Sequence, residues 1–110
     1  MTAKFGLKPS TLQKLCSVLQ SYPKVQSAVI YGSRAKGTHK LGSDIDLTLK
    51  GNKLSISDLS AIEASLDDLL LPYNIDLSIF DQIENPALLD HIQRVGIEIF
   101  SAAHVNGTTG

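Results

Sequence analysis

The fold is decided by the stretch YGSRAKGTHKLGSDIDLTL, which spans residues 31–49. The residues just before it, 25–31, are rich in β-branched side chains and predict a strand that ends at Gly32. Gly32-Ser33 then predicts a turn into a short helix, followed by a polar loop. Residues 45–49 alternate between apolar and polar side chains, as a half-buried strand does. The stretch therefore predicts two strands whose connection carries much of the polar chemistry.

Apolar periodicity predicts the remaining elements. Helices are expected at 10–21, 57–70 and 86–95, and strands at 74–80 and 97–100. Helix starts are indicated by Ser10 with Gln13, by Ser57-Asp58 and by Asn85-Pro86. The order α-β-β-α-β-α-β predicts the α/β (α+β) class, with a small mixed sheet of about four strands and helices packed on it.

Length and composition favour one globular domain. The chain has 110 residues, of which 43% are hydrophobic, and we expect residues 1–103 to form the domain and 104–110 a disordered tail. The single cysteine, Cys16, allows no internal disulfide. No apolar run reaches the roughly 18 residues of a membrane span, and the first residues lack the apolar stretch of a secretory signal. We therefore expect a cytoplasmic protein without a membrane partner.

Charge is divided unevenly along the chain. Residues 1–53 hold nine basic residues and two acids, a net of +7, whereas residues 54–110 hold one basic residue and nine acids, a net of −8. Solvated helix faces would explain this. So would one face that attracts anions and another that suits a basic partner. The basic half lacks the interleaved aromatic side chains of a single-strand platform, so nucleic acid is not the expected partner.

Three carboxylates, Asp44, Asp46 and Asp76, lie in or beside otherwise apolar strands. On an extended strand Asp44 and Asp46 project from the same face, with their Cα atoms roughly 6.5–7 Å apart. A lone Asp-x-Asp is typical of a turn or a helix cap, but neither Asp46 nor Asp76 precedes a helix. Carboxylates that converge in a sheet repel each other, and a divalent cation relieves the repulsion. Oxygen-only ligands predict Mg²⁺ or Mn²⁺ rather than zinc.

The turn at Gly32 and Ser33, followed by Arg34 and Lys36, predicts an anion site. Glycine permits close approach of the backbone to a ligand, and a turn into a helix directs N–H groups at an anion. A Gly-Ser pair alone usually marks only a turn, and the glycine spacing excludes a Walker A loop. Beside the carboxylates, however, this turn suits the phosphates of a Mg²⁺-bound nucleoside triphosphate.

The spacing Gly32-Ser33, ten residues, then Asp44-Ile45-Asp46 resembles the signature of the DNA polymerase β-like nucleotidyltransferase superfamily. Asp76 lies where a third metal ligand of that superfamily is expected. The short chain and its ending at residues 92–97 resemble the minimal nucleotidyltransferase (MNT) domains of prokaryotes, and the resemblance covers residues 9–100. One departure is Lys36, where many relatives carry a second arginine with a planar fork of donors.

This resemblance implies a fold, a site and a reaction. The fold would be the polymerase β-like nucleotidyltransferase fold, and Ser33 and the neighbouring backbone would hold the triphosphate of ATP. Asp44 and Asp46 would bridge two Mg²⁺ ions, for which Mn²⁺ could substitute, and Asp76 would complete the site of the catalytic ion. Arg34 or Lys36 would offset charge on the leaving pyrophosphate.

The resemblance also implies a partner. MNT proteins are commonly encoded beside a HEPN-class toxin and act as its antitoxin, in some cases by transferring AMP to a tyrosine of the toxin. The leading interpretation is therefore a protein adenylyltransferase of that kind, in a homo- or hetero-oligomer. The alternative is a binding module that neutralises its partner by contact alone. A third interpretation, adenylylation of a small molecule, is disfavoured because no lid domain is evident.

Two histidines stand near the motifs. His39, with Lys40, lies in the loop before Asp44 and either touches nucleotide or is solvated. His91 falls off the apolar stripe of its helix and is expected to be exposed.

Overall fold

A four-stranded sheet forms the centre of the structure, a computed structural model that describes residues 5–40 and 42–102. The elements in chain order are α1 (Pro9–Gln20), β1 (Val25–Tyr31), α2 (Gly32–Lys36), β2 (Ile45–Gly51), α3 (Ile56–Asp67), β3 (Ile75–Ile79), a 3₁₀ turn (Phe80–Gln82), α4 (Pro86–Val95) and β4 (Ile97–Ser101). The predicted order of helices and strands is confirmed, and α2 is the short helix expected after Gly32-Ser33.

The sheet is mixed, as predicted, with strand order β3-β2-β1-β4. β1 pairs antiparallel with both β2 and β4, whereas β2 and β3 are parallel. Parallel neighbours need a crossover connection, and here α3 provides it. The parallel pairing matters for the site, because it aligns the starts of β2 and β3 at the same edge of the sheet.

Alternation along the strands gives the sheet two different faces. On one face Ile45, Leu47 and Leu49 are fully buried and belong to one core cluster with α1 and α3. On the other face Val29 and Tyr31 pack against Ile92 of α4. Burial of aliphatic side chains is the main stabilising contribution in a core of this kind. The polar positions of β2 and β3 lie on the α4 side of the sheet.

Two predicted helix starts are wrong in detail. α1 begins at Pro9, after an extended Lys8 whose side chain makes no capping bond, so the Ser10–Gln13 pattern is not the cap. Proline suits this first position because its missing N–H has no helical partner there. α3 is capped by a reciprocal box between Ser55 and Asp58 rather than by Ser57. The Asn85 cap of α4 is confirmed, with its side chain accepting from Ala87 N–H.

α3 also ends earlier than the sequence predicts. Its last residue is Asp67, and Leu70 follows with a positive φ of 54° and an exposed fraction of 87%. Leu70 is therefore not part of the apolar stripe. None of the helices in the described part of the chain is long and apolar enough to cross a membrane. The predicted tail at 104–110 lies outside the described residues.

Candidate functional site

Three polar side chains form a row across the sheet. Asp46 of β2 pairs in register with Asp76 of β3 on one side and with Tyr31 of β1 on the other. Neighbouring strands lie about 4.8 Å apart, so the two aspartates stand side by side at the same edge. Tyr31 is buried, Asp46 is half-buried and Asp76 is exposed. The sheet thus brings together two of the three carboxylates that the sequence singled out.

Asp44 completes the acidic group from outside the strand. It lies two residues before Asp46, just ahead of β2, and is exposed. Burial raises the pKa of the Asp46 carboxyl, and the negative charges of Asp76 and Asp44 raise it further. Nearby His91 partly opposes this rise in the pKa of Asp46. The charges of Asp76 and Asp44 are therefore close enough to act on the Asp46 carboxyl.

Gly32 allows the Asp46 carboxylate to lie against the turn after β1. Its φ is +74°, and a Cβ built at this position would collide with Oδ2 of Asp46. Only glycine satisfies both conditions without strain, because it has no Cβ and tolerates positive φ. The predicted anion turn and the predicted carboxylate group are thus in direct contact.

His91 of α4 also reaches this turn, and its expected exposure is wrong. The backbone N–H of Gly32 donates to Nε2 of His91 at 3.1 Å, and the His91 ring meets Tyr31 edge-on with centroids 6.1 Å apart. The contact joins residues 59 positions apart in sequence. Helix periodicity places His91 off the apolar stripe but says nothing about a polar contact with another element.

Ser33 and Lys36 lie in α2, the short helix that the sequence predicts after Gly32-Ser33. Ser33 is half-buried, and its carbonyl accepts the N–H groups of Gly37 and Thr38, which close the short helix. Lys36 is exposed in the last turn of α2. Ser33 therefore follows directly on the glycine that contacts Asp46.

Arg34 has a different set of partners from the one expected of a phosphate ligand. Its guanidinium donates to the carbonyl of Phe5 and twice to the carbonyl of Ser43, and it lies 4.8 Å from the centroid of the Tyr73 ring. The residue is only 3% exposed. Its charged group is therefore held by two backbone carbonyls and one aromatic ring. His39 is half-buried and lines a cavity of about 280 Å³ with Arg34 and Tyr73.

A divalent cation fits the negative charge and the oxygen donors of the three aspartates at this edge of the sheet. Asp44, Asp46 and Asp76 offer only oxygen donors, which Mg²⁺ and Mn²⁺ prefer. As their side chains stand, no group of three or more His, Cys, Asp or Glu residues within 5–40 and 42–102 is gathered so that it could hold a metal ion. Mutual repulsion among ionised carboxylates favours that separation, and a bound cation would remove it.

The family model for "Polymerase beta, Nucleotidyltransferase" matches residues 13–104 of the sequence. The match begins in α1 and covers every later element of the fold. A comparison with curated protein sequences finds no match.

Several solved structures have a similar fold. One is a crystal structure of a toxin–antitoxin with AMP-PNP, with 20% identity, a TM-score of 0.68, and coverage of 88% of this chain and 78% of that chain. A toxin–antitoxin MntA–HepT structure has 16% identity, a TM-score of 0.65 and coverage of 92% and 79%. A third is a tri-AMPylated HEPN toxin from Shewanella oneidensis in complex with MNT antitoxin, with 17% identity, a TM-score of 0.64 and coverage of 90% and 76%. At these identities the likeness shows a common fold.

Proposed function

The chain belongs to the polymerase β nucleotidyltransferase family, and on that premise we propose that it transfers AMP from Mg²⁺-bound ATP to a hydroxyl group of a partner protein. We further propose that the acceptor is a tyrosine of a HEPN-class toxin, which makes this protein an antitoxin. The observation that carries the proposal is the contact of Gly32, the first residue of the Gly32-Ser33 turn, with Asp46, which pairs in register with Asp76. A nucleotidyltransferase needs its phosphate site and its metal ligands at one place.

Each carboxylate has a distinct proposed role. Asp44 and Asp46 would hold two Mg²⁺ ions, and Asp76 would be a ligand of the ion that activates the acceptor. When bound, the ions supply a more nucleophilic acceptor oxygen and neutralise charge on the departing pyrophosphate. Asp46 is half-buried, pairs in register with Asp76 and lies two residues after Asp44, so it would suit contact with both ions.

The transfer step forms one bond and breaks one. The acceptor oxygen bonds to the α-phosphorus of ATP, and the bond from that phosphorus to the β-phosphate oxygen breaks. The pyrophosphate leaves with the electron pair, and the hydroxyl proton passes to the Asp76 carboxylate, which is exposed and open to an incoming acceptor. Ser33 and the turn backbone hold the triphosphate, while exposed Lys36 adds positive charge beside the leaving group.

Two observations support a toxin as the acceptor. Structures of similar fold are toxin–antitoxin complexes, and one of them contains an AMPylated HEPN toxin. The second half of this chain is strongly acidic, and its acids Glu63, Asp67 and Asp68 are exposed on and just after α3. An acidic surface suits a basic partner.

The transfer is tested by intact mass. The protein is mixed with the HEPN-class protein encoded by the adjacent gene and with MgATP, and the partner mass is measured. An increase by one or more AMP units is expected with wild type and not with Asp46→Asn. Asp81→Asn, which changes an exposed acid in the 3₁₀ turn after β3, is the matched control and should transfer like wild type. No mass increase with wild type would contradict transfer to this partner.

One observation favours the alternative of a non-catalytic antitoxin. Within the described residues the carboxylates are not gathered into a ready metal site. A module that acts by contact alone would form a stable complex and leave the partner mass unchanged. It would neutralise the partner equally well with Asp46→Asn.

A further inference from the structure

The guanidinium of Arg34 is bound on three sides by atoms of distant segments. Nε and Nη2 donate to the carbonyl of Ser43 at 3.1 and 2.7 Å, and Nη1 donates to the carbonyl of Phe5 at 2.8 Å. The ring of Tyr73 covers it at 4.8 Å. A planar fork of donors can bind two carbonyl groups at fixed angles, which a lysine ammonium cannot do.

These contacts connect the segments that carry the proposed site. Arg34 follows Ser33 in α2, and Ser43 immediately precedes Asp44. Tyr73 precedes Asn74, whose carbonyl accepts the N–H of Ile45 at 2.9 Å, at the point where β2 and β3 begin. One side chain therefore ties the phosphate turn to the start of both carboxylate-bearing strands.

Among the described residues 38–40 and 42–43, the other hydrogen bonds of the loop before Asp44 do not tie its far end to the sheet. Thr38 N–H donates to Ser33, Ser43 N–H donates to the carbonyl of Lys40, and Lys40 N–H donates to Ser43 Oγ. The last two bonds are internal to the loop and hold its shape without fixing its position. The Arg34 bonds to the Ser43 carbonyl supply that attachment.

Stability alone does not account for this arrangement. Arg34 is 3% exposed, yet no salt bridge in the described part of the chain includes it. A buried cation loses its hydration, and an apolar side chain of similar volume is often at least as stabilising in such a place. What the guanidinium supplies beyond packing is a fixed geometry between three chain segments.

We propose that Arg34 is a positioning residue of the nucleotidyltransferase site. It holds Asp44 at a fixed position relative to Asp46 and to the Gly32-Ser33 turn. This role rests on the proposed function, and it replaces direct contact of Arg34 with the triphosphate. The guanidinium acts through the Ser43 carbonyl and touches neither nucleotide nor metal.

Arg34→Lys is the decisive variant, because it keeps the charge and the aliphatic stem but cannot bind both carbonyls. The matched control is Arg94→Lys, which changes an exposed arginine paired with Asp90 on α4. Tyr73→Phe should keep the ring contact, whereas Tyr73→Leu should remove it and weaken the site to a smaller extent. All variants are compared below their melting temperatures, so that the folded protein is measured.

The first measurement is amide hydrogen exchange, which needs no ligand. Arg34→Lys should lose protection at the N–H groups of Ser43 and Ile45, which are bonded in the wild type, and should keep it in α1 and α3. Unchanged protection at Ser43 and Ile45 would overturn the proposal. Protection lost uniformly across the chain would also overturn it, because the role would then be global.

The second measurement is Mn²⁺ affinity of the folded variants by calorimetry, with and without ATP. Loss of a side chain that orients a metal ligand typically weakens metal binding by about 10–100-fold, and we expect that loss in Arg34→Lys but not in Arg94→Lys. A lower melting temperature with wild-type Mn²⁺ affinity would make Arg34 merely structural and overturn the proposal. Failure of the wild type itself to bind Mn²⁺ would instead contradict the proposed function.

Discussion

The Asp46 carboxylate lies against the backbone of Gly32, so closely that a Cβ on residue 32 would collide with Oδ2. This contact joins the first residue of the Gly32-Ser33 turn to Asp46, the half-buried member of the three aspartates. It explains why the turn begins with glycine. It also makes residue 32 a place where one methyl group should disturb the site more than it disturbs the fold.

Gly32→Ala should therefore weaken binding of Mg²⁺-ATP by a larger factor than its effect on stability suggests. The added methyl group forces Asp46 to move, and the positive φ of residue 32 costs about 1–2 kcal/mol for a residue with a Cβ. Nucleotide affinity by calorimetry and the free energy of unfolding by urea titration are the two measurements.

Gly37→Ala is the matched control for that comparison. Gly37 also has a positive φ, +81°, but a Cβ there would have nothing within 4 Å. Both variants should lose a similar conformational contribution to stability, and only Gly32→Ala should lose nucleotide affinity. Equal nucleotide affinity in the two variants would show that the contact with Asp46 has no part in binding.

Without metal, the protein should become less stable as pH rises through the folded-state pKa of Asp46. Burial and the charges of Asp76 and Asp44 raise that pKa above the unfolded value, so the folded state binds the proton more tightly. The resulting contribution is complete below the unfolded pKa, near 3.9 for an ordinary aspartate, and is lost above the folded pKa. Melting temperature against pH should show this loss in wild type and not in Asp46→Asn. If the melting temperature falls equally with pH in both proteins, ionisable groups other than Asp46 cause the fall.

Binding of a divalent metal ion should restore the stability that the protein loses when Asp46 ionises. Mn²⁺ or Mg²⁺ that binds only the folded state raises the melting temperature by mass action, and at neutral pH the ionised carboxylates would be its ligands. We expect the increase in wild type and in Asp68→Asn, and little of it in Asp46→Asn. A metal-induced increase that survives Asp46→Asn would place the ion elsewhere.

His91→Phe should destabilise the protein by about 1 kcal/mol, the usual net contribution of a hydrogen bond. Phenylalanine keeps an aromatic edge against Tyr31 but removes the acceptor for the Gly32 N–H. Because that N–H belongs to the Gly32-Ser33 turn, which is proposed to hold the triphosphate, nucleotide affinity should fall as well. His91→Gln retains an acceptor and should lose less of both. If His91→Phe has the wild-type free energy of unfolding and the wild-type nucleotide affinity, His91 has no role in the site.

The sheet could be predicted from the sequence because its strands carry a local pattern. The predicted β1 at 25–31 matches the structure, and β2 begins at Ile45 as expected. Alternation in β2 and β3 also placed Asp46 and Asp76 on the polar face. Two aspartates at equivalent positions of parallel strands are then neighbours, which the register confirms.

The contacts of His91 and Arg34 could not be predicted in the same way. Each depends on a backbone group of a distant segment, the N–H of Gly32 for His91 and the carbonyls of Phe5 and Ser43 for Arg34. Every residue type except proline has the same backbone donor and acceptor, so such partners leave no mark in the sequence. From the sequence alone, Arg34 next to Ser33 is predicted to be a phosphate ligand.

Asp76→Asn should separate catalysis from binding. The amide keeps the shape of the side chain. It can neither take the proton of the attacking hydroxyl nor offer a charged oxygen to the ion that would activate that hydroxyl. Transfer should fall by roughly 10²–10⁴, the range of general-base catalysis, while affinities for MgATP and for the partner change little. Asp81→Asn, in the 3₁₀ turn after β3, is the control. If Asp76→Asn transfers like wild type, the proposed role of Asp76 is wrong.

The most direct test of the central claim follows the two ends of ATP separately. The protein, its HEPN-class partner and Mg²⁺ are incubated with ATP labelled at the α-phosphorus, and in a parallel reaction with ATP labelled at the γ-phosphorus. Nucleotidyl transfer predicts the α label on a tyrosine of the partner and the γ label in released pyrophosphate. A complex that forms and binds ATP but never acquires the α label would contradict the claim, as would γ label on the partner.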